Sequence, residues 1–223
     1  MATEEELTKR GYMEFAARLR DSVLDVSARD LLRAAEESQI HTFGWPIGVV
    51  ITTEQHKPKP YQDGIRAVIH GDDRYDYWTL KKNGEYYYLG TLFEDTRIEN
   101  KLFVDTRVVR ITEVFLRTAG LYQKLGSGIE EIVDLKIRHN GLSGRILAVA
   151  SPNRILLDQY KCDEQEIASE FSEPLKNFQE PAKLKELVFK TVKDIVELFD
   201  YFPISKQELV DPIVDSFLLG RIA

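Results

Sequence analysis

The chain has 223 residues, of which 43% are hydrophobic and 10% aromatic, a content typical of proteins that bury a core and unlike that of disordered chains. Its net charge of −7 is uneven, since residues 41–157 carry 16 basic and 14 acidic residues whereas both flanking segments are acidic. This distribution argues against nonspecific duplex binding, in which neutralised phosphates supply most of the affinity, but it leaves room for a small basic groove.

Sequence signals for a membrane or an exported protein are missing. No apolar run approaches the roughly 18 residues of a membrane span. The polar, acidic start MATEEELTKR is unlike a signal peptide. The single cysteine, Cys162, excludes an internal disulfide and a cysteine-based metal cluster. We therefore expect a cytoplasmic protein with no membrane partner.

The first 40 residues predict a helical N-terminal extension. One helix is predicted over residues 3–21 by apolar side chains at roughly helical spacing: Leu7, Tyr12, Phe15 and Leu19. A second helix is predicted over residues 27–39, because Ser27 is a good N-cap and apolar residues follow it at helical spacing.

Beyond residue 40, β-branched segments and helical periodicities alternate. Strands are predicted over residues 49–53, 65–70, 131–139, 145–150 and 164–171, besides a hairpin over residues 75–90. Helices are predicted over residues 103–126, 182–199 and 206–219. These elements predict an α+β fold, with a mostly antiparallel sheet packed by helices, the helical extension over residues 1–40, C-terminal helices, and a single α+β domain over residues 41–223.

The hairpin sequence YDYWTLKKNGEYYYLG collects aromatic residues around Asn83-Gly84. A two-residue type I′ turn there would place Lys82 opposite Glu85. The alternation of side chains then predicts a core face of Trp78, Leu80, Tyr87 and Leu89 and a second face of Tyr75, Tyr77, Tyr86 and Tyr88 with Thr79 and Lys81. Tyrosines near lysine suit the stacking of single-stranded nucleic acid, and they equally suit packing under a helix or at a dimer contact.

The long helix over residues 103–126 carries several charged residues. Arg107 and Arg110 near its start could bind an anion, joined by Arg145 if the sheet brings it close. The alternative is a solvated ion-pair face, in which Glu113 pairs with Arg110 and Arg117.

An Asp-x-Lys pattern occurs on one predicted strand. Asp134 and Lys136, with Arg138 on the same face, resemble the pair that holds a divalent ion and polarises water in metal-dependent nucleases. That chemistry needs a second acidic residue, for which Asp95 and Asp105 are the nearest candidates. The same alternation is typical of any half-solvated strand.

Other catalytic signatures are missing from the sequence. The four histidines, His41, His56, His70 and His139, lack metal-ligand spacing. There is no P-loop, no Gly-x-Ser-x-Gly and no Gly-x-Gly-x-x-Gly. We therefore expect neither a cofactor nor a bound metal, and no catalytic residue.

A series of short strings carries a family resemblance. In order, they are GWPIGVV, DGIRAVI, YDYWTL, YYYLGTLFED, FVDTRVVRITEVFL, LYQKLG, RHNGLSGR and SPNRILL. They resemble the C-terminal region of bacterial Schlafen/AlbA-type proteins, which are labelled as ATP-binding or DNA-binding. Such proteins carry an AlbA-type domain ahead of this region, whereas only residues 1–40 precede it here. The resemblance therefore implies an accessory module without the functions of that domain.

Two functions follow as expectations. The first is a non-catalytic binding or scaffold protein, acting with a protein partner or as a homo-oligomer in a nucleic-acid-linked or defence pathway of bacteria. The expected binding residues are Tyr75, Tyr77, Tyr86, Tyr88, Arg107, Arg110 and Arg145. The second is a nucleic-acid-binding regulator or a metal-dependent nuclease, which would use the tyrosine face or Asp134 and Lys136.

Overall fold

The computed structural model describes residues 11–71, 74–152, 154 and 156–221. The main strands are β1 (Tyr12–Leu19), β2 (Lys59–Tyr61), β3 (Gly64–His70), β4 (Tyr75–Lys81), β5 (Tyr86–Thr91), β7 (Ile132–Asn140) and β9 (Glu166–Pro174). They form one seven-stranded sheet in the order β2-β3-β4-β5-β1-β7-β9, and every neighbouring pair is antiparallel. Two short strands, β6 (Lys101–Phe103) and β8 (Ile146–Ala148), pair in parallel beside it.

The described residues contain four α-helices: α1 (Ala28–Glu37), α2 (Val104–Lys124), α3 (Pro181–Glu197) and α4 (Asp211–Leu218). Short helical turns lie at Phe93–Thr96, Leu175–Phe178 and Lys206–Val210. The central helix α2 packs between the sheet and the other helices, and the ring of Phe115 lies 5.3 Å from Phe171 of β9 and 5.1 Å from Phe178. Within the described ranges, no helix has the length and apolar character needed to cross a membrane.

The predicted α+β class, with a mostly antiparallel sheet packed by helices, is confirmed. The long helix predicted over residues 103–126 is α2, and the helix predicted over residues 182–199 is α3. The helix predicted over residues 27–39 is α1, whose N-cap Ser27 accepts a hydrogen bond from the backbone of Asp30. The strongly periodic segments therefore adopt the structures that their periods predict.

The helix predicted over residues 3–21 is wrong over Tyr12–Leu19, which form the strand β1 between β5 and β7. Met13, Phe15, Ala17 and Leu19 are buried, whereas the residues between them face outward. This period of two is that of a half-buried strand, and the helical spacing of Tyr12, Phe15 and Leu19 was a coincidence within it. Residues 3–10 of that predicted helix lie outside the described ranges.

Two further segments differ from the sequence prediction. Residues 49–53 form no strand, because their backbone bonds to side chains: Val49 O accepts from Trp78 Nε1 at 3.0 Å, and Val50 N donates to Gln39 Oε1 at 2.7 Å. The segment EQHKPKPYQDG (residues 54–64), in which two prolines favour a loop, contains β2. Its Pro60 is tolerated because β2 is the edge strand of the sheet, where no further ladder bond is needed on one side.

Candidate functional site

The hairpin β4-β5 has a register one residue away from the predicted one. Lys81 N donates to Glu85 O at 2.8 Å, and Gly84 N donates to Lys81 O at 2.9 Å, so the loop has three residues. Gly84 alone takes a positive φ, of +88°. The loop is therefore a three-residue turn that ends in a left-handed glycine and not the predicted two-residue type I′ turn.

The shifted register exchanges the tyrosines of β5 between the two faces. Tyr86 and Tyr88 point inward with Trp78 and are 2% and 5% exposed, whereas Tyr87 points outward. The predicted grouping of Tyr86 and Tyr88 with Tyr75 and Tyr77 on one face, and of Tyr87 and Leu89 with Trp78 in the core, is wrong. Tyr75 and Tyr77 of β4 do lie on the outer face, half-buried, as predicted.

Tyr86 and Tyr88 are core residues with contacts that leave no room for a ligand. Both rings lie 5.4 Å from the ring of Phe15. The Tyr88 hydroxyl donates to Asp76 Oδ1 at 2.7 Å, and burial raises the pKa of Tyr88 well above its ordinary value. The Tyr86 hydroxyl faces Gly48, where a Cβ atom would overlap it.

The three arginines singled out in the sequence are buried and already paired. Arg107 Nη2 lies 2.8 Å from Glu94 Oε2, and Arg145 donates to Asp95 at 2.8 Å. The pKa of Arg107 is lowered by burial and by the nearby charges of Arg110 and Arg145, so the chain does bring these groups together. Because these arginines are buried and paired with carboxylates, their role is structural. None of the three guanidinium groups is accessible to an external anion.

Arg110 belongs to a buried network that fixes residues 41–50, hereafter the strap, against α2. Arg110 Nη1 donates to Glu113 Oε2 at 2.7 Å and to the carbonyl oxygen of Trp45 at 2.8 Å. The backbone N–H of Ile47 donates to Glu113 Oε1 at 2.6 Å. The predicted pairing of Glu113 with Arg110 is present, but both residues are buried and not solvated as predicted. Their charged groups bond to the backbone of the strap, which as an irregular segment lacks backbone partners of its own.

Other buried polar groups support the same strap. Arg117 donates to Gly48 O at 3.3 Å and to the hydroxyl of Ser38. Trp45 Nε1 donates to Asp76 Oδ2 at 2.7 Å. Burial raises the pKa of Asp76 and of Glu113 above their ordinary values. The network is therefore built around the chain's own backbone.

The Asp-x-Lys pair lies on the outer face of the sheet in a setting that differs from a metal site. Arg20 Nη2 lies 2.7 Å from Asp134 Oδ1, and the pKa of Asp134 is lowered by this bond. Lys136 pairs with Glu170 at 2.6 Å. Both candidates for the second acid are engaged elsewhere, since Asp105 accepts from Ala150 N at 2.9 Å and Asp95 accepts from Arg145 at 2.8 Å. Within the described ranges no group of three side chains is placed to hold a metal ion.

The outer face, defined as the side chains that point away from the helices, is left uncovered by the described part of the chain. One row across the sheet consists of Arg66, Thr79, Tyr87, Ala16, Lys136 and Glu170. A cavity of about 790 Å³ lies over Ala16, the smallest side chain of this row. The inward residues of the same strands, such as Phe15 and Leu135, are buried in the core.

Most charges on the outer face neutralise one another. The pairs are Lys136–Glu170 at 2.6 Å, Arg20–Asp134 at 2.7 Å, Arg138–Glu14 at 3.3 Å and Lys81–Glu85 at 2.5 Å. Tyr87 adds to this set, because its hydroxyl donates to Glu14. The half of the face formed by β1, β7 and β9 therefore carries little unbalanced charge.

The other end of the face differs, and we call it the tyrosine–cation corner: Lys59, Tyr61, Arg66, Tyr75 and Tyr77. Lys59 of β2 lies directly opposite Arg66 of β3. Within the described ranges neither cation forms a salt bridge, and the guanidinium of Arg66 lies 5.8 Å from the ring centre of Tyr61. The pKa of Glu54 is lowered mainly by its hydrogen bond from Lys57 and also by the more distant charge of Lys59. The corner thus places two cations without a salt bridge beside three half-buried tyrosines.

A cavity of about 420 Å³ opens at this corner. It is lined by Gln55, Lys57, Lys59, Arg66, Val68, Tyr75 and Tyr77. Lys57 pairs with Glu54 at 2.8 Å, so Lys59 and Arg66 are the cations of this wall that have no salt bridge. Such a volume is within the range of cavities that hold small ligands.

Sequence reasoning found Tyr75 and Tyr77 but missed Lys59, Tyr61 and Arg66. A signal for Arg66 existed, because alternation in the strand predicted over residues 65–70 sets it apart from its apolar neighbours. Lys59 and Tyr61 flank a proline, which predicted a loop and hid the edge strand.

Comparisons with protein-family models, with curated proteins and with solved structures find no match for this chain. The resemblance to Schlafen/AlbA-type proteins therefore stays a hypothesis from sequence pattern. What the chain does has to follow from the geometry of its own residues.

Proposed function

We propose that this chain is a non-catalytic binding protein that recognises an anionic partner at the tyrosine–cation corner. The observation that carries the proposal is the pair Lys59 and Arg66, which face each other across two strands without a carboxylate. Like charges in directly opposite positions destabilise a sheet, so a bound anion would stabilise this arrangement. The rest of the outer face is neutralised by its own ion pairs, which directs an anion to this corner.

The proposal that this binding protein lacks catalysis rests on the burial and the shifted pKa values of its cysteine and of one histidine. Cys162 is buried, and burial raises the pKa of its thiol, which disfavours the reactive thiolate. His139 is buried, and its pKa is lowered well below the ordinary value by burial, which keeps it neutral. A cytoplasmic location and a role in a nucleic-acid-linked or defence pathway of bacteria belong to the same proposal.

A charge-reversal experiment tests this function. The binding of fluorescein-labelled oligouridylate and of fluorescein-labelled oligoglutamate is measured by anisotropy at low salt. We expect at least one of these probes to bind the wild-type chain. The variant Lys59→Glu/Arg66→Glu should bind that probe with an affinity lower by about tenfold or more. Lys136→Glu is the matched control, since it reverses a charge on the neutralised half of the same face. Binding of neither probe, or equal loss in the control, would contradict the proposal.

A second candidate is a scaffold that pairs with another copy of itself through β9. This strand is the last of the sheet and, within the described ranges, pairs with β7 alone. Beside it lies a cavity of about 720 Å³, lined mainly by apolar residues, among them Ile167, Phe202 and Ile204. Tyr201 at its rim is 89% exposed and takes a φ of +57°, an unusual conformation for a residue other than glycine.

Light scattering after size exclusion tests this second candidate. The wild-type chain should form a dimer at high concentration, and Tyr201→Glu should shift it to the monomer. A monomer at every concentration, or a dimer that Tyr201→Glu leaves intact, would rule out self-association at β9.

A further inference from the structure

The tyrosine–cation corner places aromatic rings on β4 and positive charges on the neighbouring strands, an arrangement that suits one kind of anion. Tyr75 and Tyr77 lie on the same face of β4, and the rise of a strand places their Cα atoms about 7 Å apart. Both belong to the cavity wall, together with the apolar side chain of Val68. An apolar and aromatic wall suits a flat, uncharged group and contributes little to a carboxylate.

The cations lie to one side of these rings. Val68 of β3 lies opposite Tyr77. Arg66 lies two residues before Val68 on the same strand, opposite Lys59 of β2. Neighbouring strands are about 4.8 Å apart, so the free charges lie one and two strands away from the tyrosines. A ligand that fills the corner therefore needs planar groups over β4 and negative charges over β2 and β3.

The tyrosines tolerate nearby phosphates because they stay neutral. Burial raises the pKa of Tyr61 and of Tyr75 above the ordinary tyrosine value. Their hydroxyls can donate hydrogen bonds to phosphate oxygens at neutral pH. The guanidinium of Arg66 near the ring of Tyr61 can pair with a phosphate while it remains stacked.

We infer, on the basis of the proposed function, that the anionic partner is a single-stranded nucleic acid. Bases of the strand stack on Tyr75 and Tyr77, and its phosphates pair with Lys59 and Arg66. A single strand exposes the base faces that such stacking needs, whereas a duplex hides them. The net charge of −7 disfavours a polyanion held by charge alone, so the stacked rings are needed for affinity.

An anisotropy titration with labelled strands of about eight nucleotides tests this inference. The probes are oligouridylate, oligodeoxythymidylate, a duplex of the same length, an abasic strand of the same length and oligoglutamate. We expect at least one of the two single strands to bind about tenfold or more tightly than the duplex, the abasic strand and oligoglutamate. The RNA and DNA arms then show which sugar the corner prefers.

Two substitutions separate stacking from charge. Tyr77→Ala should weaken the binding of the single strand about tenfold, as expected when one base loses its stacking partner, whereas Tyr77→Phe should retain most of it. Tyr160→Ala is the matched control, because it removes another half-buried tyrosine that lies outside the corner. Lys59→Ala should reduce the slope of log affinity against log salt by about 0.7, the value for one phosphate contact on a single strand.

The outcomes distinguish this inference from the proposed function. If oligoglutamate or the abasic strand binds as well as the intact strand, and Tyr77→Ala has no effect, the inference fails and anion binding stands. If no probe binds the wild-type chain, both fail. Melting curves of each variant confirm that a loss of binding is not a loss of fold.

Discussion

Lys59 and Arg66 occupy directly opposite positions on β2 and β3, so two positive side chains share one cross-strand site. Elsewhere on the outer face, opposite positions carry opposite charges, as Lys136 and Glu170 do on β7 and β9. The two arrangements differ in what they stabilise. A matched pair stabilises the sheet by itself, whereas the pair Lys59 and Arg66 is stabilised by an anion from outside.

This relationship predicts that binding and stability oppose each other at the corner. Lys59→Glu places a carboxylate opposite Arg66 and should raise the free energy of unfolding by about 0.2–1 kcal/mol. The same substitution should weaken the binding of the anionic probe. Urea unfolding of the free protein measures the first effect. A lower stability of Lys59→Glu would show that the two cations do not repel each other.

The register of the hairpin predicts different costs for two tyrosines of similar sequence context. Tyr88→Ala removes a buried ring and should lower the free energy of unfolding by about 3–5 kcal/mol. Tyr77→Ala truncates a half-buried ring on the open face and should cost much less. Urea unfolding of both variants gives the comparison, and equal costs would favour the register with Tyr88 outside.

The register could not be read from the sequence because the turn decides it. Asn83-Gly84 favours a two-residue turn, yet a three-residue turn that ends in a left-handed glycine also uses this glycine. Both faces then contain tyrosines, so hydrophobicity alone does not choose between them. Tertiary contacts select between the two registers, because the rings of Tyr86 and Tyr88 pack against Phe15 in the core.

The charged residues of α2 show a second limit of sequence reading. Its apolar stripe predicted the helix correctly, but Arg110, Glu113 and Arg117 were assigned to solvent because charged residues usually lie there. They are buried because the strap covers them and supplies its backbone as their partner. A sequence has no local pattern that predicts when an irregular segment will need buried side chains as hydrogen-bond partners for its peptide groups.

The strap predicts unequal effects for two glycine substitutions. Gly44 and Gly48 both take a positive φ, of +49° and +62°. Gly44→Ala meets no neighbouring atom and should cost only about 1 kcal/mol of backbone strain. Gly48→Ala also overlaps the Tyr86 hydroxyl and should cost distinctly more. Thermal unfolding of both variants provides the comparison.

The same site offers a rescue. Tyr86→Phe removes the hydroxyl that a Cβ atom at Gly48 would overlap, and should itself cost little compared with Gly48→Ala. In this background Gly48→Ala should approach the cost of Gly44→Ala. If the excess cost of Gly48→Ala persists, the strap does not approach Tyr86 as closely as described.

Asp76 predicts a pH dependence of stability with a definite sign. Burial raises its pKa in the folded chain above the ordinary value near 3.8. The stability that this group contributes is therefore complete below that ordinary value and is lost as the pH rises through the raised folded pKa. Asp76→Asn cannot titrate, so the stability of the wild type relative to Asp76→Asn should fall as the pH rises from about 4 to about 7.

Urea unfolding of the wild type and of Asp76→Asn at several pH values measures this difference. Glu113 titrates in both proteins, so its own raised pKa largely cancels. If the wild type instead gains stability relative to Asp76→Asn as the pH rises, the prediction is wrong. The hydrogen bonds from Trp45 and Tyr88 would then stabilise the ionised carboxylate more than burial destabilises it.

The location of the bound strand tests the central claim most directly. A titration of the isotopically labelled protein with oligouridylate of about eight nucleotides, followed by amide chemical shifts, maps the contact surface. The account predicts the largest changes at the tyrosine–cation corner, at Lys59, Arg66 and Tyr77, with little change at Lys136 and Glu170. Changes centred on the ion-paired half of the sheet, or no changes at saturating probe, would contradict it.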